Sequence, residues 1–126
     1  MKKLFVGFCF LGLLAACGGG DKNANGGSAD MSDGLSDNPV YQKGLGLIAK
    51  SDCLTCHKVE EKLTGPAYRD VANKYASLPD TIITHLANKI RSGGNKVWGD
   101  ALMTPHPGVS MEDAEAMVKY ILLLKK

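Results

Sequence analysis

The residues most able to do chemistry sit together at Cys53-Leu54-Thr55-Cys56-His57. Two thiols three residues apart can add to the two vinyl groups of one haem, and the adjoining histidine then lies beneath the iron. This spacing is that of c-type haem attachment. Two other uses of the pattern stay open. A Cys-x-x-Cys pair can be a redox disulfide, but the βαβ pattern of a thioredoxin-like chain is missing. The pair can also be half of a zinc site, which needs four ligands in all; His85 and His106 are the residues available to complete it.

Around this motif the chain must supply a scaffold, and its 126 residues divide into three unlike segments. Residues 38–126 have the composition of a folded domain, with 12 basic and 9 acidic side chains among 89 residues. A chain of that length folds alone with a modest core, which a bound cofactor would enlarge. Asn38-Pro39 reads as a cap followed by proline at the first helical position. The helix expected over Pro39 to Lys50 presents Val40, Gly44, Leu47 and Ile48 on one side. Cys53 to Pro66 reads mostly as loop. A short helix follows over Ala67 to Tyr75. A third covers Pro79 to Arg91, with Ile82, Ile83, Leu86 and Ile90 on one stripe, and Gly93-Gly94 ends it. Breakers make Asn95 to Val109 a loop. Ser110 and Asp113 resemble a capping box opening a last helix to Lys125, with Ala114, Met117, Val118, Ile121, Leu122 and Leu124 mostly inward. No run alternates with period two, so the expected fold class is all-α, four short helices without a sheet.

The N-terminal segments read as export and tethering. Lys2 and Lys3 precede Leu4 to Ala16, 13 apolar or glycine residues. A bilayer span needs about 20, so the run fits the apolar region of a secretory signal. It ends in Leu14-Ala15-Ala16-Cys17, which resembles the lipobox of bacterial lipoproteins: residues 1–16 are cut away and Cys17 carries lipid. Gly18 to Asp37 is rich in Gly, Asp, Asn and Ser and buries too little apolar surface to offset its chain entropy. Its random-coil span is roughly 25 Å. Residues 17–37 thus read as a lipidated cysteine with a flexible tether, and residues 38–126 as the domain. Gly18 after the lipid cysteine favours the outer membrane over the outer face of the inner one. The whole-chain charge of +2 excludes the dense basic stripe of a nucleic-acid binder.

The domain resembles class I cytochromes c, specifically the small bacterial monohaem proteins. Besides CLTCH, the likeness rests on Gly65-Pro66-Ala67-Tyr68, on Lys89 to Gly94, on Val97-Trp98-Gly99, and on Met103 before a proline-containing turn. It implies a cytochrome c-like fold around one covalently bound haem c, with His57 and Met103 as axial ligands. It also implies single-electron transfer rather than catalysis. The Pro66 carbonyl would then accept from His57 Nδ1 and leave Nε2 for iron. The thioether of Met103, 46 residues after His57, favours reduced iron. In relatives the residue at Trp98 bonds a haem propionate, and a basic residue at Lys89 lies nearby. Gly44, Ile48 and Tyr120 match a helix-crossing feature. Lys43, Lys50, Lys58, Lys62 and Lys96 are candidates for a ring that steers an acidic partner. His106, three residues past Met103, competes with it for iron.

The expected molecule is a monomeric carrier. It exchanges electrons with redox proteins such as a quinol-oxidising complex, a terminal oxidase or a reductase. The alternative is a haem sensor or peroxidase-like enzyme with an open distal position, which His106 and Arg91 keep in play.

Overall fold

The computed structural model describes residues 34–126. The signal, Cys17 and most of the linker lie outside the described residues. Four helices carry the fold: α1 (Pro39–Lys50), α2 (Tyr68–Tyr75), α3 (Thr81–Ser92) and α4 (Met111–Leu123). A single 3-10 turn, Cys53–Thr55, follows α1. Two short strands, β1 (Gly94–Lys96) and β2 (Gly99–Met103), follow α3. Among the described residues no helix is long and apolar enough to cross a membrane.

Local chemistry sets the helix boundaries. The Asn38 side chain accepts from the amides of Val40 and Tyr41 at 2.8 and 3.4 Å, with Pro39 at the first position where no donor is needed. Ser110 Oγ accepts from the Asp113 amide at 3.1 Å, and Glu112 and Asp113 place negative charge at the positive end of α4. Gly93, at φ +69°, closes α3.

The core forms along α4, which packs on α1, α2 and α3. Ile48, Tyr68, Ala72, Met117, Tyr120, Ile121 and Leu124 make one buried cluster, and Ala87, Ala114 and Val118 join α3 to α4. The α1–α4 crossing requires glycine at position 44: a Cβ there would overlap Tyr120 and the Ala116 carbonyl. Tyr41 meets the Tyr120 ring edge-on at 4.9 Å between centroids. Arg69, buried on α2, ion-pairs with Glu60 and donates to the Leu124 carbonyl, tying the end of α4 to the loop before α2.

Two expectations change. Val40, expected on the same side of α1 as the buried Gly44 and Ile48, is 41 % exposed. The stretch read as loop contains an antiparallel hairpin, pairing Gly94 with Met103 and Lys96 with Gly99. The hairpin escaped the sequence reading because it buries no face: β2 is exposed from Gly99 to Leu102. Without a buried face there is no period-two alternation to read. It is a local clasp beside a predominantly helical fold.

Candidate functional site

The attachment turn is built by α1 ending at Lys50 and the chain tightening through the 3-10 turn. The Cys53 carbonyl accepts from the amides of Cys56 and His57 at 3.2 and 3.0 Å. This brings both sulfurs and the imidazole to one cavity. Both thiols are free; Cys56 is exposed and Cys53 half-buried, and burial pushes the Cys53 thiol up from its ordinary range.

His57 is held from three directions. Its Nδ1 lies 2.8 Å from the Pro66 carbonyl oxygen, which can only accept. The proton therefore sits on Nδ1, and the Nε2 lone pair is left for a metal. Tyr68 stacks on the ring at 5.1 Å between centroids and 13° between planes. Gly65 lies so close that a Cβ would run into the imidazole. The loop carrying Gly65-Pro66 is stitched down by Gly65 N–H to the Cys56 carbonyl at 2.9 Å and Tyr68 N–H to the Lys58 carbonyl at 2.9 Å.

Met103 enters the same cavity from the end of β2. The segment behind it is pinned to α3: His106 N–H donates to the Ile90 carbonyl at 3.1 Å, and Arg91 Nε to the Val109 carbonyl at 3.0 Å. Gly93 lets the two pack closely, because a Cβ there would overlap the Met103 carbonyl.

The cavity measures about 280 Å³ and is walled by apolar residues of all four helices, among them Ile48, Val71, Leu86 and Met117. Ile82, Ile83, Leu86 and Ile90 are only partly buried, and Leu86 and Ile90 turn toward this space. Pro66, Lys89 and Trp98 line it as well. Trp98 meets Tyr75 edge-on at 6.4 Å, with the Lys74 ammonium 4.8 Å over its ring. Every cofactor-binding residue expected from the sequence, Cys53, Cys56, His57, Pro66, Lys89, Trp98 and Met103, thus borders one space.

The other candidates fare differently. His85, exposed on α3, and His106 also reach the cavity, but among the described residues no group of three or more His, Cys, Asp or Glu is arranged to hold a metal ion. His106 Nε2 is paired with Asp52 at 3.2 Å. Of the candidate lysine ring, only Lys96 lines the cavity; Lys43 pairs with Glu112 and Lys58 with Glu61. Sequence reasoning missed Tyr68 as a support for His57, because an aromatic opening a helix reads as ordinary core. It missed Asp52 because a charged residue beside a motif reads as solvated.

The Cytochrome c family profile matches residues 41–125. The chain belongs to the cytochrome c family. It is 45 % identical over 84 residues to cytochrome c-552 of Nitrosomonas europaea, covering 67 % of this chain and 81 % of that one. It is 39 % identical over 82 residues to cytochrome c-551 of Pseudomonas denitrificans, covering 65 % and 98 %. The fold matches the crystal structure of wild-type Nitrosomonas europaea cytochrome c552 with a TM-score of 0.61 at 46 % identity, over 64 % of this chain and 99 % of that one. A lower-identity match, at 26 % and a TM-score of 0.55, is the class 1 cytochrome MtoD of Sideroxydans lithotrophicus ES-1, over 66 % and 94 %. As a cytochrome c the protein carries one covalently attached haem c. The site fits that group: two free thiols, an imidazole with Nε2 left uncommitted, and an apolar cavity meet at one place. Electron transfer is the general activity of the family.

Proposed function

We propose that this cytochrome c is a monomeric one-electron carrier with His57 and Met103 as axial ligands, held at a membrane by lipid on Cys17. Haem c supplies an iron that gains and loses one electron. The protein's own residues do the rest. Cys53 and Cys56 anchor the group, Pro66 fixes the His57 tautomer, and Met103 offers a soft donor that favours the reduced state. Trp98 and Lys89 border the space where the polar edge of the group would lie. With His57 and Met103 both holding the group, no open position would be left for a substrate.

The observation that carries the reading is the pairing of a pre-oriented His57 with Met103 on a single cavity. It is favoured over a sensor or peroxidase because Arg91 and one ring nitrogen of His106, the polar groups such an enzyme would use, hydrogen-bond elsewhere. Arg91 donates to the Val109 carbonyl and His106 pairs with Asp52. The lipid anchor rests on Leu14-Ala15-Ala16-Cys17 and on the tether composition. It implies export to the periplasm, an outer-membrane position or the outer face of the inner membrane, and redox proteins as donor and acceptor.

Replacing Met103 tests the ligand set. Met103→His is expected to keep the iron six-coordinate and lower the potential by on the order of a few tenths of a volt, within the roughly 0.8 V that axial ligands span. Met103→Ala is expected to open the site to cyanide. If Met103→Ala leaves spectrum and potential unchanged while His106→Ala alters both, His106 is the ligand. For the anchor, Cys17→Ser should release haem-loaded protein from membranes; retention after a salt wash contradicts the lipid assignment.

A further inference from the structure

His106 raises a question that the ligand set leaves unanswered. Its backbone is fixed by the bond to Ile90, but its ring has a single polar tie, Nε2 to Asp52 Oδ1 at 3.2 Å. Nδ1 is buried and has no hydrogen-bond partner among the described residues. The ring is nonetheless well enclosed, with 23 % of its side chain exposed, whereas Asp52 is 80 % exposed. Asp52 immediately precedes Cys53, and His106 follows Met103 by three residues. The pair therefore spans 54 positions of sequence to join the turn that anchors the haem to the segment that carries the distal methionine. Among the described residues it is the side-chain tie between those two loops.

We propose that Asp52 and His106 form a latch that positions the Met103 segment and slows displacement of the distal ligand. The proposal rests on Met103 being that ligand. The segment's other ties run to α3 and to β1 directly after it, so they hold it on that side of the cavity but not to the attachment turn. Releasing Asp52 frees the ring of its single polar anchor and lets the segment swing from its α3 attachment. Asp52 is the position to change, because its exposed side chain supports no packing, whereas removing His106 would also empty part of the interior.

The experiment uses ferric holoprotein and imidazole as the displacing probe, followed by stopped-flow absorbance. Asp52→Ala is expected to raise the displacement rate about 1.5- to fivefold, the effect of losing one exposed polar contact. Asp52→Asn, which keeps an acceptor oxygen, is expected to restore part of the slow rate. In a cycle with His106→Gln the two changes should be non-additive. Equal rates for the unsubstituted protein and Asp52→Ala overturn the latch, as does a rate that responds to His106→Gln alone. The methionine charge-transfer band of the starting ferric protein separates the two levels: its absence overturns the ligand assignment and the latch with it, whereas its presence with equal rates overturns the latch alone.

Discussion

The two walls of the cavity are built by opposite strategies. The proximal wall, Cys53 to Tyr68, is short in sequence: His57 receives its carbonyl partner from nine residues away and its stacking partner from eleven. The distal wall reaches Met103 through a hairpin with an exposed strand, and is pinned to α3 by backbone acceptors at Ile90 and Val109. The proximal ring is fixed as an object, with tautomer, tilt and clearance all set. On the distal side the backbone is fixed and the side chain follows.

The largest expected effect comes from breaking the proximal wall outright. Cys53→Ala with Cys56→Ala leaves His57 in its slot but removes both thioether anchors. Acid–organic extraction should then move all colour from polypeptide to solvent, while the unsubstituted protein keeps its colour; solvent colour from the unsubstituted protein contradicts covalent attachment.

Two glycines compare the walls more finely. Gly93→Ala combines a left-handed φ of +69° with overlap on the Met103 carbonyl. The strain alone costs about 1–3 kcal/mol, and the overlap adds to it. The expected signature is distal, a loss of the methionine charge-transfer band together with a lower melting temperature. Gly65→Ala has no such backbone strain; its Cβ meets the His57 ring. An overpacking cost of about 1–3 kcal/mol is expected, with the methionine band retained and the histidine resonances shifted. If both variants perturb the same ligand, the walls are not independent.

The same contrast explains what was legible in the sequence. The proximal wall is written in adjacent residues, so CLTCH and Gly65-Pro66 could be read directly. The helices were legible from apolar stripes and from caps such as Asn38-Pro39 and Ser110, both of which form as hydrogen-bonded caps. The distal wall was harder. Its hairpin buries no face, and the Asp52–His106 contact joins residues 54 apart that carry no mutual signal in a single sequence. Tyr68 closes the Gly65-Pro66-Ala67-Tyr68 motif, but its service to His57 depends on how α2 turns back over the attachment loop. Val40 shares its side of α1 with Gly44 and Ile48 yet stays exposed, because it sits at the first turn of the helix.

An effect absent at neutral pH sharpens the contrast in alkali. Burial raises the hydroxyl pKa of Tyr68, on the proximal wall, and pushes that of Tyr120, at the α1–α4 crossing, up to about 12. A group whose folded pKa lies above its unfolded value contributes stability that is fully present below the unfolded pKa, here near 10.0, and lost as pH rises through the folded one. Between pH 10 and 12 the unfolded chain has released both protons and the folded chain has kept them. Stability should therefore fall by about 1.4 kcal/mol per pH unit for each tyrosine, roughly twice that for the pair. Tyr68→Phe keeps the ring that stacks on His57 and removes one proton from this balance; Tyr120→Phe removes the other. Denaturant unfolding followed by far-ultraviolet circular dichroism should show the alkaline slope halved in either variant. Tyr68→Phe should do so without moving the potential, because the stacking ring remains. A shifted potential in that variant would instead make the hydroxyl, through its contact with the Cys53 sulfur, part of how the proximal wall sets the iron.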